Sequence, residues 1–543
     1  MSVPDRANAR LRITWSASPA ASATSSLSAE LQKWSVPARR GTQSMSRGSA
    51  TLRNVPRSKL PGLRELDFGM LDAGDEASVP ESRTLLEGYY DHKTLARRIT
   101  AGSAWLVIGP KGSGKSASFE HLRLDWQSSP VHFFSLWQLG GWPVGDVTKI
   151  KMGVTEGDAS AQGAWEFLLL LRLFDSLTAD QGAIIPAQAI RLRKELEKLG
   201  LLGNHDLRTR FIDWSTSTVR FSLLGLGAEG SATSTPVTLY HLTAHLREAC
   251  GQVRTTSNHR LALDGLDQFF AESDADWRSL AGLVHAVQAV NVFFRAQRLN
   301  AGVVLAIRSE IFASLPSTDS AKLLDHSVRL DWTDEGFDSR NLLWDMVNRK
   351  VLASVRSTDG GNPFKDLRSA YLHEPMQRGM YLEMPQYLLS FTRLLPRDLV
   401  AMMRQLQEIH PGSGAVTSDQ AIETVRRYSE RYFVAEIFNN LHGALQDAVG
   451  HKTMAFKEAL ASVPSRYFTA DTLAHELDGL FEHEELRPAL RRLYVIGAIG
   501  VRRGSRGSEH TDFVFRRTEG GSFNFRSELA LHSSLAIAWN VPR

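Results

Sequence analysis

The segment GPKGSGKS at Gly109 to Ser116 constrains this chain more than any other feature. Its glycines permit backbone shapes and close approaches that a side chain would block. Successive backbone N–H groups in such a loop turn inward as an anion nest, and the dipole of the helix that follows favours phosphate. An apolar run, Ala104 to Ile108, enters the loop directly, and helical spacing resumes from Lys115 to about Trp126. Strand, loop, helix is the context in which this pattern cradles phosphates. The expectation is a P-loop holding ATP and Mg²⁺, with Gly109, Pro110, Lys111, Gly112, Ser113, Gly114, Lys115, Ser116 and Ala117 as the cradle. Lys115 would reach the β- and γ-phosphates, and the Ser116 hydroxyl would ligate the metal.

Mg²⁺ needs a second protein anchor, normally a carboxylate at the end of a neighbouring strand. In HRLALDGLDQFF, Leu261 to Leu263 precede Asp264, which is read as the Walker B carboxylate and second metal anchor, acting mostly through water. Many P-loop ATPases place Glu immediately after that Asp, but here the position is Gly265. Asp267 is the nearest substitute base, and its bland reading is a cap for the next helix. The following strand ends in LAIRSEIF, so Arg308 sits at a C-terminal strand end, where open α/β sheets bind ligands. It would sense the γ-phosphate, or pair structurally with Glu310 or Asp331. Further on, LPRDL puts Arg397 near a helix start, where positive charge is mildly unfavourable. An external anion or carboxylate partner is expected there, making Arg397 a second nucleotide sensor.

Further strand-like runs at Val131 to Leu136, Leu261 to Leu263, Val303 to Ile307 and Ser327 to Leu330 alternate with helical patterns. Those helices are expected over 164–178, 187–199, 239–250 and 277–298, after an earlier one from about 82 to 101. Alternation of this kind implies an α/β fold with a mostly parallel sheet covered on both faces. The segment 217–238 alternates and then turns glycine-rich, which predicts an inserted hairpin. Beyond about residue 340 the pattern is mainly helical, as over 342–355, 384–394 and 397–409. From about 456 it changes to two short helices, 469–480 and 484–493, then strand-like pieces at 498–502 and 512–516. The expected domains are a leader at 1–60, an ATPase core at 61–335, a helical lid at 336–455 and a winged-helix-like module at 456–543.

Composition narrows the class. Hydrophobic residues make up 43% of the 543 and charged residues 22%, ordinary values for a globular chain. No apolar run approaches the roughly 18 to 20 residues that span a bilayer, so membrane insertion is not expected. Cys250 is the only cysteine, which excludes an internal disulfide and fits a reducing, cytoplasmic compartment. Scattered histidines with no HExxH-type spacing give no transition-metal site. The net charge of +4 hides an asymmetry: residues 1–60 carry ten Lys or Arg against Asp5 and Glu30. Such a tail is a disordered leader or a contact for nucleic acid. Arg502, Arg503, Arg506, Arg516 and Arg517 flank the proposed wing turn, although Glu509, Asp512 and Glu519 dilute that patch.

With these residues in place, the chain resembles a bacterial P-loop ATPase family related to STAND and KAP-type NTPases of the additional-strand (ASCE) division. The resemblance covers roughly 63–543 and rests on FGMLDAGDE, IGPKGSGKS, ALDGLDQF, AIRSEIFASL with SVRLDW, PRDLV and LHSSL. It implies a sheet order of 5-1-4-3-2, a helical lid and a winged-helix-like C-terminal part. It also implies an ATPase working as a nucleotide-driven switch, in signalling or phage defence, with a protein partner or a homo-oligomer. Arg295, Arg298 and Arg349 are the candidate arginines for a neighbour's site. Gln268 stands where an acidic residue often extends the DGLD motif. Two rivals remain open at this point: a DNA-associated ATPase, and a scaffold that holds nucleotide without hydrolysing it.

Overall fold

The computed structural model describes residues 60–80, 82–140, 144–150, 152, 158–202, 221–223, 235–266, 274–315, 323–333, 336–355, 364–377, 383–442, 450–477, 481, 483–504, 510–516 and 523–542. Apart from Leu60, the leader at 1–60 lies outside them, as do Asp267, Gln268, Arg506 and Arg517.

Five strands form the central sheet: β1 (Leu106–Ile108), β2 (His132–Gln138), β5 (Asn258–Asp264), β6 (Ala301–Ile307) and β7 (Ser327–Arg329). Their order is β2-β5-β6-β1-β7, with every pair parallel. Counted along the chain, that is the expected 5-1-4-3-2, and β6 separates the glycine-loop strand from the Asp264 strand. The missing pair, β3 (Phe221–Leu223) and β4 (Thr235–Val237), is the antiparallel hairpin expected within 217–238.

Successive strand residues point to opposite faces, and both faces are dry. Val107, Ala262, Val304, Ala306 and Val328 meet Phe119, Leu122 and Trp126 of the helix Lys115–Trp126. Leu106, Ile108, Leu263, Leu305 and Ile307 meet the apolar sides of the helices Asp158–Ala179, Leu239–Gln252 and Asp274–Ala296. Covering both faces is why these strands read as continuous apolar runs.

Near the start of β5, His259 is fully buried, with Ser176 Oγ 2.8 Å from Nδ1, Asp180 Oδ2 3.5 Å from Nε2 and the Phe133 ring stacked at 4.6 Å. Burial lowers its pKa to about 4, against the opposing pull of Asp180. An unfolded histidine titrates near 6.5, so between those values only the unfolded chain takes up this proton. Stability contributed by neutral His259 is complete above pH 6.5. It is expected to fall by up to about 1.4 kcal/mol per pH unit as pH drops towards 4. Urea midpoints measured from pH 7 to 4 check this, and His259→Asn should flatten that part of the slope.

Local chemistry explains where the elements depart from expectation. The helix expected over 82–101 forms only at Arg83–Leu86 and Leu95–Thr100. Between them Lys93 and Thr94 both adopt φ +53°, and Asp91 Oδ1 accepts from Ala96 N at 2.7 Å to start the second piece. The helix from Met384 stops at Leu389, ahead of Leu394 at φ +55°. The strand expected at 512–516 is instead β10 (His510–Asp512) followed by a 3₁₀ turn, Val514–Arg516.

After the sheet, helices Leu342–Ser354, Pro396–Ile409, Ser418–Tyr428 and Val434–His442 lead on to helix His451–Ser462. A π-helical turn, Ser429–Phe433, joins the third of these to the fourth. The remaining elements are β8 (Tyr467–Phe468), helices Ala470–Glu476 and His483–Val495, β9 (Ile499–Arg503), β10, β11 (Leu529–Leu531) and helix Ser533–Ala538. These strands pair antiparallel in the order β10-β9-β11-β8. One apolar core runs through this whole region, from Leu343 to Val541, and takes in Leu63, Leu66 and Phe68 from the start of the described chain. Among the described residues, no helix is long and apolar enough to cross a membrane.

Candidate functional site

The glycine loop lies between β1 and the helix Lys115–Trp126, at the C-terminal end of the sheet. Gly112 and Gly114 adopt φ +84° and +101°, conformations that glycine takes without strain. A Cβ on Gly109 would stand 2.5 Å from Ser113 Oγ and 3.1 Å from the Leu330 carbonyl, so the loop closes on itself too tightly for any side chain there. At Gly114 a Cβ would meet nothing within 4 Å, so the loop faces open space at that point. Lys115 is buried, and its Nζ donates to the carbonyls of Gly109 (2.9 Å) and Pro110 (3.0 Å). An ammonium stored against its own loop, beside an open mouth, fits a phosphate chain as ligand.

Asp264 ends β5, is buried, and accepts from Gly265 N at 2.8 Å through Oδ1. Gln138 at the end of β2 pairs in register with it. Gly265 holds φ +86°, and a Cβ there would come within 2.8 Å of Gly140 N. No glutamate can follow Asp264 in this geometry. The donor set fits Mg²⁺ in kind, since Ser116 and Asp264 offer only the hard oxygen ligands that this ion prefers. Asp267, the base expected from the sequence, lies outside the described residues.

Arg308 caps the end of β6 and is buried, its Nη1 3.8 Å from Glu310 Oε1. Asp331, the other partner weighed for it, is held by Lys93 at 2.8 Å. Arg397 lies in the first turn of the helix Pro396–Ile409, and this helix start rests on the loop: Arg397 N donates to Gly112 O at 3.3 Å. A Cβ on Gly112 would come within 3.1 Å of Arg397 Cβ. The Arg397 guanidinium donates through Nε to Leu71 O at 2.9 Å and lies 3.8 Å from Glu436 Oε1. The carboxylate partner expected for a cation at a helix start is thus Glu436.

Glu436 also holds Lys111, with Nζ 3.2 Å from Oε1. Burial lowers the pKa of Lys111 and Glu436 opposes that, while Arg397 and Arg308 push it further down. The same electrostatic neighbourhood reaches the C-terminal region. Burial lowers the pKa of Arg492 on the helix His483–Val495, Glu310 raises it and Arg308 lowers it. Sequence reasoning missed both Glu436 and Arg492, because each sits in an ordinary amphipathic helix with no motif around it. A cleft of about 750 Å³ opens beside the Arg397 helix, lined by Leu71, Ala401, Arg404, Gln405 and Tyr432 among others.

The arginines weighed as donors to a neighbouring subunit have partners within the chain in two cases. Arg295 lies 4.7 Å over the Trp105 ring and Arg349 lies 5.4 Å over Tyr90. Arg298 is exposed beyond the end of its helix, at φ +55°.

No family model matches the chain, and no curated protein matches it. Among solved structures it is similar to the crystal structure of Cdc6p from Pyrobaculum aerophilum, at 10% identity and a TM-score of 0.30. That alignment covers 86% of this chain and 96% of the other. A likeness this loose carries no argument about the site. The five-stranded parallel sheet, with its glycine loop between β1 and the next helix, stands on the geometry above.

Proposed function

We propose that this chain binds Mg-ATP at the glycine loop and works as a nucleotide-driven conformational switch. One observation carries the reading: a buried lysine lies against a glycine loop shaped for phosphate, with Arg308 at the end of neighbouring β6 and Arg397 on a helix whose backbone touches Gly112 and whose apolar side lies in the C-terminal core. Bound Mg-ATP would supply the phosphoanhydride and the divalent charge. Lys115 would exchange its two loop carbonyls for phosphate oxygens, and Ser116 with Asp264 would hold the metal. Arg308 at the end of β6 and Arg397 at the helix start on Gly112 would meet the γ-phosphate. A switch requires ATP and ADP to differ in affinity for two arrangements of the chain. The Arg397 helix offers the lever, because its backbone touches Gly112 while its apolar side lies in the core that continues to Val541.

The order helix, β8, helix, helix, β9, β10 after residue 450 supports the winged-helix reading of that region. It gives little support to DNA contact, since Arg502 pairs with Glu528 at 2.7 Å and Arg503 with Asp512 at 2.9 Å. A second reading has firmer support. Gly265 leaves no room for the usual glutamate, which favours a protein that holds nucleotide with slow or absent turnover.

Binding and hydrolysis of Mg-ATP by the full chain test both readings, with Asp264→Asn alongside. Wild type is expected to bind Mg-ATP, and the variant to keep metal-free nucleotide affinity while losing about 10- to 100-fold in Mg²⁺-dependent turnover. Binding with no turnover in wild type selects the holding role. Absence of binding overturns both.

A further inference from the structure

Glu436 sits where a phosphate-binding site would least want an acid. Its carboxylate is 11% exposed, 3.2 Å from Lys111 Nζ and 3.8 Å from Arg397 Nη1. Asn440 Nδ2 fixes it from one turn further along the same helix, donating to Oε1 at 3.2 Å. Both cations belong to the surroundings of the loop. Lys111 is the third residue of GPKGSGKS, and Arg397 is bonded through its backbone to Gly112. An incoming phosphate and this carboxylate carry the same sign and seek the same two partners. At low effective dielectric, two anions within a few ångströms repel by several kcal/mol, so both cannot occupy that place at ease.

We propose that Glu436 is a resident counter-ion of the phosphate site, which lets go of Lys111 and Arg397 when nucleotide phosphate binds. The inference rests on the Mg-ATP reading above and adds its regulation. In the nucleotide-free chain the carboxylate balances the positive charge of the loop and holds the helix Val434–His442 against it. Once displaced, that helix loses its tie to the loop. The consequence travels, because Val434, Ile437, Phe438 and Leu441 are buried in the C-terminal core, with Phe438 6.0 Å from the ring of Trp539. The helix also begins at the π-helical turn Ser429–Phe433, a type of irregularity frequent at functional sites. Occupancy of the loop is thereby read out some distance from the chemistry.

The sign of one measurement separates a competitor from a helper. Titrating Mg-ATP and Mg-ADP into the full-length wild type, Glu436→Gln and Glu436→Ala should show both variants binding about five- to tenfold more tightly. Glu436→Asp, which keeps the charge, should stay close to wild type. Amide exchange gives a readout independent of affinity: the segment 434–442 should exchange faster in wild type once nucleotide is added. In Glu436→Gln it should already be fast without nucleotide. If wild type binds but both neutral variants bind equally or more weakly, Glu436 orients Arg397 or merely stabilises the fold, and the proposal is overturned while the nucleotide site survives. If wild type binds neither nucleotide, the Mg-ATP reading fails and takes this inference with it.

Discussion

Lys115→Ala is expected to cut Mg-ATP affinity by at least about 30-fold and up to about 4,000-fold while leaving the fold intact. Truncating one partner of a buried, hydrogen-bonded charge pair costs about 2–5 kcal/mol, and every 1.4 kcal/mol is tenfold in affinity. Lys115 is buried beside the loop and gives up its bonds to the Gly109 and Pro110 carbonyls on binding phosphate, which sets the lower end of that range. In the free chain the same substitution removes one donor from the carbonyls of Gly109 and Pro110, each now 2.9–3.0 Å from Nζ, and leaves them Ser309 N at 3.3 Å and Ser113 N at 3.2 Å. The open mouth at Gly114 lets water approach, so the stability cost should stay within about 1–2 kcal/mol. Calorimetric titration beside a melting curve separates the two effects. Wild-type-like affinity in a folded variant would remove Lys115 from the site.

The largest effect on stability is expected at Asp398, one residue from Arg397. Its carboxylate is fully buried and accepts from Arg393 N at 2.9 Å, Nε at 2.9 Å and Nη2 at 2.7 Å, and from Tyr432 OH at 3.2 Å. Asp398→Ala would leave the Arg393 guanidinium buried beside the Phe433 ring without its counter-charge. Removing one member of such a pair costs about 3–5 kcal/mol, because the remaining charge is not resolvated. Replacing both partners with apolar residues, as in Arg393→Met with Asp398→Leu, is expected to cost less than the single change. Urea denaturation of the three proteins checks the ranking. A single variant that loses under about 1 kcal/mol would show that water reaches this pair on the loss of the carboxylate.

The pair also explains how the helix start is aimed at the loop. Pro396 begins the helix and the Asp398 carboxylate caps the Arg393 backbone, so the residue between them is presented to Gly112 in one orientation. Arg397 is therefore held on a rigid mount. Loss of Asp398 should loosen nucleotide binding as well as the fold, which links the two experiments.

Much of the sheet was legible from sequence because its signals are local. A buried parallel strand is a short apolar run, and the runs at 104–108, 261–263 and 303–307 marked β1, β5 and β6 to within a few residues. The helix Lys115–Trp126 was placed at both ends, since a glycine at φ +101° begins it. Strand order came from resemblance and not from periodicity, which carries no information about neighbours. The helix expected from 82 to 101 failed for the opposite reason. Its apolar spacing is real, but Tyr89 donates to Ser118 Oγ and Tyr90 packs against Trp332, contacts that pull this stretch out of helical form.

By itself, the sequence determined the glycine loop, the carboxylate that ends β5 and the arginines at positions 308 and 397. Each of these is set by residues adjacent to it in the chain. Only the tertiary structure decided what surrounds them. Lys111 and Glu436 meet across 325 residues of chain, and Asp264 comes to the loop's end of the sheet because β5, β6 and β1 run parallel. In sequence Gly265 is only the absence of a glutamate; the fold adds that any Cβ there would come within 2.8 Å of Gly140 N. Contacts of that kind depend on how separately patterned segments pack, and an unpaired acid in a helix looks the same whether it faces water or a phosphate site.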